Sequence, residues 1–131
     1  MSAPKSGSCL CGAISYEVNG PLRDVIACHC TQCRKASGHH VAATSCADED
    51  ITITGDTLVW YQSSDRAERG FCSMCGSNLF WKPRSGGRTS IFAGTLDGET
   101  GLKMVSQLYT EDKGDYYEIP DVPEVQQTPI K

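Results

Sequence analysis

Seven of the chain's eight cysteines fall into three tight groups. Cys9 and Cys11 form a pair, Cys28, Cys30 and Cys33 a triplet, and Cys72 and Cys75 a second pair, leaving Cys46 alone. A thiol can pack as a small hydrophobe, but that role gives no reason for pairs and triplets. Nor does the pattern suit disulfides, since sulfurs two or three residues apart bridge poorly and distant partners need no clustering. Met1 to Ser8 hold no apolar stretch of an export signal, so the thiols are expected to meet a reducing cytosol. A chain of 131 residues can also bury roughly two-thirds of its unfolded surface, so its core does not depend on covalent staples.

Clustered thiols at this spacing do suit a tetrahedral divalent metal. A turn through Cys-x-x-Cys aims two sulfurs at one point about 2.3 Å from each. Gly12 after Cys11 and Gly76 after Cys75 fit such knuckles, which often need a residue tolerant of positive φ just past the last ligand. Thiolates admit iron as well as zinc, but nothing in the chain calls for redox chemistry, so zinc is the expected metal. Seven sulfurs make one closed site of four and one open site of three. A closed site is structural, whereas an open one keeps a position for water, substrate or a further ligand. Spacing leaves the partition undecided. It joins Cys30 and Cys33 to Cys72 and Cys75 as readily as it joins Cys9 and Cys11 to them.

Strand signals dominate the rest. Residues 13–18 alternate and are turned by Asn19-Gly20-Pro21. Further strands are expected at 23–27, 40–45, 51–54, 58–62, 67–71, 78–82, 89–93 and 104–109. One helical turn at 31–37 stops at Gly38. Turns fall at Gly55-Asp56 and from Ser63 to Asp65, and Ser85-Gly86-Gly87 reads as a hairpin tip. One mainly β domain over 1–131 is expected, its core about 5–119 and its tail 120–131 extended, with Pro120, Pro123 and Pro129. Twelve Lys and Arg against sixteen Asp and Glu give a net charge of -4, which argues against a nucleic-acid partner. Thiolate ligands outweigh the charge of their zinc ions, so metallation strengthens that argument. No apolar run reaches the ~20 residues of a membrane span.

These residues resemble the glutathione-dependent formaldehyde-activating (GFA) family, also called the centromere protein V/GFA family. The likeness runs through Gly7-Ser8-Cys9-Leu10-Cys11-Gly12, then Tyr16, then Cys28-His29-Cys30-Thr31-Gln32-Cys33-Arg34-Lys35-Ala36-Ser37-Gly38. It continues over Arg69-Gly70-Phe71-Cys72-Ser73-Met74-Cys75-Gly76-Ser77-Asn78-Leu79-Phe80. The resemblance implies a folded, tent-like β-sheet domain shared with methionine sulfoxide reductase B and small zinc chaperones. It implies a structural zinc on Cys9, Cys11, Cys72 and Cys75, and a catalytic zinc on Cys28, Cys30 and Cys33. It also implies a cytoplasmic carbon–sulfur lyase, with glutathione or another small thiol and an aldehyde as partners. The founding reaction adds glutathione to formaldehyde, giving S-(hydroxymethyl)glutathione. Two stretches depart from the family pattern. Gln107-Leu108-Tyr109 stands where His-Ile and an aromatic are common, and His39-His40-Val41 where small residues and Phe are usual. Both departures are expected near the open zinc.

The remaining polar residues divide between chemistry and plain surface. Arg34 and Lys35, just past the triplet, are candidates to offset its charge or hold a substrate carboxylate, against a reading as solvated charge. For Arg66 and Arg69 the surface reading is preferred. His29 is expected to point away from the metal. His39 and His40, as strand neighbours, are expected on opposite faces, with one candidate for a fourth ligand or general base. Cys46, Trp60, Phe71, Phe80, Trp81 and Phe92 read as core, though one aromatic could wall a substrate cleft. Two other classes compete with the enzyme. A non-catalytic zinc module would bind protein through an exposed apolar patch. A methionine sulfoxide reductase-like enzyme would need Cys46 as its nucleophile.

Overall fold

Ser15–Val18 alternates strictly, with Tyr16 and Val18 buried and Ser15 and Glu17 exposed, so one face of strand β2 is a core face. The computed structural model describes residues 4–119; the expected tail 120–131 lies outside the described residues. Strand β2 is the centre of a three-stranded antiparallel sheet, flanked by β1 (Lys5–Ser8) and β5 (Ile51–Thr54). Strand β1 was not expected, because Lys5-Ser6-Gly7-Ser8 carries no apolar alternation. Its register on β2 sets Gly7 opposite Tyr16, where an added Cβ would stand 2.3 Å from both the Tyr16 hydroxyl and the Thr95 carbonyl. Only glycine fits.

The second sheet has seven strands: β3 (Val25–Cys28), β4 (Val41–Ala47), β6 (Leu58–Gln62), β7 (Ala67–Cys72), β8 (Asn78–Pro83), β9 (Arg88–Phe92) and β10 (Met104–Leu108). Their order is β10-β3-β4-β9-β8-β7-β6, antiparallel except for the parallel pair β10 and β3. The fold is therefore mainly β, and each expected strand is present with ends shifted by no more than two residues. Short 3-10 turns at Asp48–Asp50, Ala93–Thr95 and Thr110–Asp112 add local structure that hydrophobic patterning does not reveal. The core brings together Ile14, Tyr16 and Val18 from the small sheet side with Cys46, Phe80 and Ile91 from the large one. Tyr16 meets Phe80 edge to face at 5.4 Å, and burying each large side chain contributes about 1.5–3 kcal/mol.

The helix α1 (Thr31–Ser37) is short, so its ends matter. Cys30 is its N-cap, with Sγ accepting from the Cys33 N–H at 3.3 Å. Gly38 ends it at φ 84° and donates its N–H to the Arg34 carbonyl at 2.7 Å. The cap thus turns Cys33 back towards Cys30.

Candidate functional site

The first pair of cysteines follows β1, Cys72 ends β7 with Cys75 in the turn after it, and packing of the two sheets brings these turns together. Cys9, Cys11, Cys72 and Cys75 place their sulfurs within 4.8 Å of one another. Cys9 and Cys11 are 3.7 Å apart and Cys11 and Cys72 3.9 Å, close to the spacing of about 3.8 Å that four sulfurs take around one tetrahedral zinc. Gly12 (φ 82°) and Gly76 (φ 79°) supply the left-handed step after each pair. Donors are aimed at the sulfurs: the Ile14 N–H at Cys9 (3.3 Å), the Thr57 hydroxyl at Cys72 (3.4 Å) and the Ser77 hydroxyl at Cys75 (3.2 Å). The Ser77 hydroxyl and N–H pull the Cys75 thiol down to about 5, and the Thr57 hydroxyl pulls Cys72 down. The residues present fit a closed thiolate site.

Cys28 ends β3, Cys30 caps α1 and Cys33 sits in its first turn, and these three sulfurs also lie within 4.8 Å of one another. Hydrogen bonds to Cys30 and Cys33, then burial, push the Cys28 thiol upwards. Three sulfurs crowded in this way cannot all ionise without a cation, which a divalent metal would supply. The positive group in reach is Arg69 of β7, which donates to Cys33 Sγ at 3.7 Å and to Gln32 Oε1 at 3.4 Å. Arg69 is only 6% exposed, so it is not the surface charge that was expected. Its place was open to a period-two reading, which sets it on the same face of β7 as buried Ala67.

The triplet opens onto a cavity of about 450 Å³ on one face of the large sheet. Alternate residues build its floor: Val41, Ala43 and Ser45 from β4, and Arg88, Ser90 and Phe92 from β9. The intervening Thr44, Cys46 and Ile91 are fully buried, on the face turned to the core. Trp81 forms part of the wall, the one aromatic of the expected core set besides Phe92 to do so. So does Tyr109, the one non-glycine at positive φ (54°) among the described residues, a conformation costing on the order of 1 kcal/mol or more. The cationic lining residues are Arg23, Arg69 and Arg88, and no Asp or Glu joins them. Of the three, Arg23 and Arg88 carried no signal in any motif.

Other candidates are placed elsewhere. Arg34 and Lys35 do not line the cavity, because the helix turns Cys33 inward and its next two residues away; Lys35 borders a separate open groove. His29 is fully buried, as far from solvent as Cys30. Its Nε2 donates to Gln107 Oε1 at 2.6 Å, leaving Nδ1 to accept from the Tyr117 hydroxyl at 2.5 Å. His39 and His40 precede β4, so strand alternation does not apply, and their rings pack together with centroids 4.3 Å apart. Gln107 and His40 of the two departing stretches thus meet at His29, whose ring packs on His40 at 4.9 Å. With His39 they stay out of the cavity wall, while Val41, Leu108 and Tyr109 of the same stretches line it. Cys46 is buried and, by burial first and Asp50 second, pushed up to about 11, which disarms it as a nucleophile at neutral pH. No disulfide joins any two of the eight cysteines. Among the described residues no helix is long and apolar enough to cross a membrane.

Comparison with known proteins identifies the family. A protein of Schizosaccharomyces pombe described as an uncharacterized lyase is 30% identical over 113 residues, covering 86% of this chain and 82% of its own. A crystal structure of a Rhodobacter sphaeroides protein superposes with a TM-score of 0.62 at 24% identity, covering 92% of this chain and 99% of that one, and shares the fold. The family model described as glutathione-dependent formaldehyde-activating enzyme matches residues 4–112, so the chain belongs to the GFA family.

Proposed function

We propose that the chain is a cytosolic, zinc-dependent carbon–sulfur lyase that forms or cleaves a thiol–aldehyde adduct such as S-(hydroxymethyl)glutathione. The observation that carries this reading is placement. Cys28, Cys30 and Cys33 stand in the wall of a cavity, while Cys9, Cys11, Cys72 and Cys75 do not. The four sulfurs would hold a closed, structural zinc and the three an open one. Bound there, zinc supplies Lewis acidity that favours the thiolate form of a substrate thiol.

The chain's own residues do the rest. Arg69 sets a positive charge beside Cys33, offsetting the net negative charge of three thiolates and one zinc. Phe92, Trp81 and Val41 make an apolar wall that shields the carbonyl from bulk water. In the forming direction the substrate sulfur gives an electron pair to the aldehyde carbon. The C=O π pair moves to oxygen, which takes one proton as the thiol releases one. Thiol and aldehyde become a hydroxymethyl thioether with no change of oxidation state; cleavage is the reverse.

Metal and thiol counts test the scheme. Purified protein should carry two zinc ions per chain and leave one titratable thiol, Cys46. Cys30→Ser should lose activity by at least about 100-fold, in the range of removing a group essential to the reaction. It should keep one zinc and a melting temperature near that of the parent. An active Cys30→Ser protein would overturn the proposal.

A further inference from the structure

The cavity is chemically lopsided. Its sulfur end holds Cys28, Cys30 and Cys33 with Arg69; its other end holds Arg23 and Arg88. The floor of β4 measures the distance between them. Val41 pairs with Cys28 at the sulfur end, and Ser45 anchors the arginine end. At ~3.3 Å per residue, Ser45, which holds the Arg88 fork, lies about 13 Å along β4 from Val41, and Ala43, whose carbonyl holds the Arg23 fork, about 7 Å. A group between the two forks thus stands about 10 Å from the sulfur end.

Both arginines are held by neutral groups. Arg88 donates from Nε (3.2 Å) and Nη2 (3.0 Å) to the Ser45 hydroxyl. Arg23 donates from Nη2 to the Ala43 carbonyl at 2.9 Å and from Nε to the Asp24 carbonyl at 3.1 Å. Its backbone is pinned as well, with its N–H on the Ser45 carbonyl at 3.0 Å and the Thr44 hydroxyl on its own carbonyl. A guanidinium has about five N–H donors, so each fork keeps some unspent. Among the described residues the single ion pair is Lys82 with Glu68, so no carboxylate neutralises Arg23 or Arg88. Burial, and then the charge of Arg88, lower the Arg23 value, an arrangement that an anion between the two would relieve.

We infer that Arg23 and Arg88 form a carboxylate subsite that selects elongated thiols, whose acid group lies about 10 Å from the sulfur, the reach of roughly three extended residues. The inference rests on the reading of the cysteine triplet as the reacting end. Cysteine-sized thiols, whose acid and sulfur are adjacent, cannot reach both ends. A carboxylate joining two guanidinium forks makes charge-assisted, bidentate bonds that an ester cannot make.

Calorimetric binding to the zinc-loaded protein tests this without turnover. The probes are S-methylglutathione, its dimethyl ester, S-methylcysteine and glutarate, a dicarboxylate with no sulfur. Expected is saturable binding of S-methylglutathione and glutarate, each weakened about tenfold by Arg23→Gln or Arg88→Gln. The ester should bind weakly and respond to neither substitution; S-methylcysteine, which cannot reach both ends, should bind weakly. Arg88→Lys, which keeps charge but loses the fork, should fall between, and thermal melts should show all variants folded. Unchanged affinity in folded variants, or no binding of either dicarboxylate to the parent, overturns the subsite. Arginine-dependent glutarate binding in a protein that turns over no thiol–aldehyde adduct keeps the subsite and removes the lyase reading.

Discussion

The two sulfur clusters differ less in their sulfurs than in what faces them. Around Cys9, Cys72 and Cys75, backbone and hydroxyl donors from Ile14, Thr57 and Ser77 already point at sulfur. Cys9, Cys72 and Cys75 also belong to the main core, between the two sheets. Around Cys28, Cys30 and Cys33 fewer donors are in reach, the Cys33 N–H on Cys30 and the Arg69 guanidinium on Cys33, and the sulfurs pack with a smaller apolar group at the cavity edge. In the closed cluster Cys75 is drawn down to about 5 and Cys72 down as well. Cys11, despite the Ala13 N–H that lowers it, is pushed up to about 11 by burial and its sulfur neighbours. In the triplet both Cys28 and Cys33 are driven up. One cluster thus takes most of its donors from its own turns, whereas the other faces a cavity. Sulfur count suggests that division; the donor set explains it.

The sharpest way to break the contrast is to remove one sulfur from the closed cluster. Structural zinc in small domains contributes on the order of 10 kcal/mol, comparable with the whole stability margin of about 5–15 kcal/mol. Cys9→Ser should therefore abolish cooperative unfolding, read by circular dichroism on heating, and strip zinc from that site. A Cys9→Ser protein melting within a few degrees of the parent would mean that the closed cluster does not hold the sheets together.

How the sheets meet was only partly legible. Strand β2 declared itself because Tyr16 and Val18 alternate with polar residues, whereas Lys5–Ser8 owes its strand state to partners far along the chain. Gly7 lies under Tyr16 and bridges Leu96, contacts that no local pattern encodes. The grouping of the cysteines was hidden for the same reason. Cys-x-x-Cys spacing specifies a turn, but which turns meet depends on where β1 and β7 end, and only the family likeness separated the options. The triplet's proximity to Arg34 and Lys35 misled as well, since sequence neighbours on a helix face different ways. Arg23 lies in the loop before β3 and Arg88 opens β9. They share a wall because both meet β4, Arg23 through its N–H on the Ser45 carbonyl and Arg88 through the pairing of β4 with β9.

Arg69 offers a milder test of the same contrast. It contacts Cys33 and lies in the cavity wall, so its loss should affect the open cluster alone. Groups that support metal ligands typically carry about 10–100-fold in metal affinity or activity. Arg69→Gln should weaken zinc retention at the triplet by that factor in competition with a chelator, leaving the closed site's zinc in place. Arg69→Lys should recover part of the loss, because it restores charge without the fork that reaches Gln32 as well. Equal loss from both sites would show that Arg69 acts on the fold rather than on the triplet.

Acid should separate the clusters with the smallest perturbation. Protons compete with zinc for sulfur, so metal leaves first where the thiol value is highest. Cys75 is lowered below the ordinary thiol value of about 8.5, chiefly by Ser77. Its ionised form therefore contributes stability that is fully present above that value and is lost as pH falls through about 5. Cys28 is shifted the other way, by Cys30 and Cys33, so its stability contribution is present below the ordinary thiol value and lost as pH rises through its own. Zinc at the triplet would have to displace protons held tightly by both Cys28 and Cys33, against Cys11 alone in the closed cluster, so the triplet is expected to be the acid-labile site. A downward pH titration, with zinc release followed by a chromophoric indicator and folding by near-ultraviolet circular dichroism, should show two steps. The first releases one zinc from a folded protein and ends activity. The second, at least about one pH unit lower, accompanies unfolding as the donors of Ser77 and Thr57 lose their thiolates. Release of both ions in a single step with unfolding would mean that the two clusters share one fate, and that their different donor sets do not set their affinities.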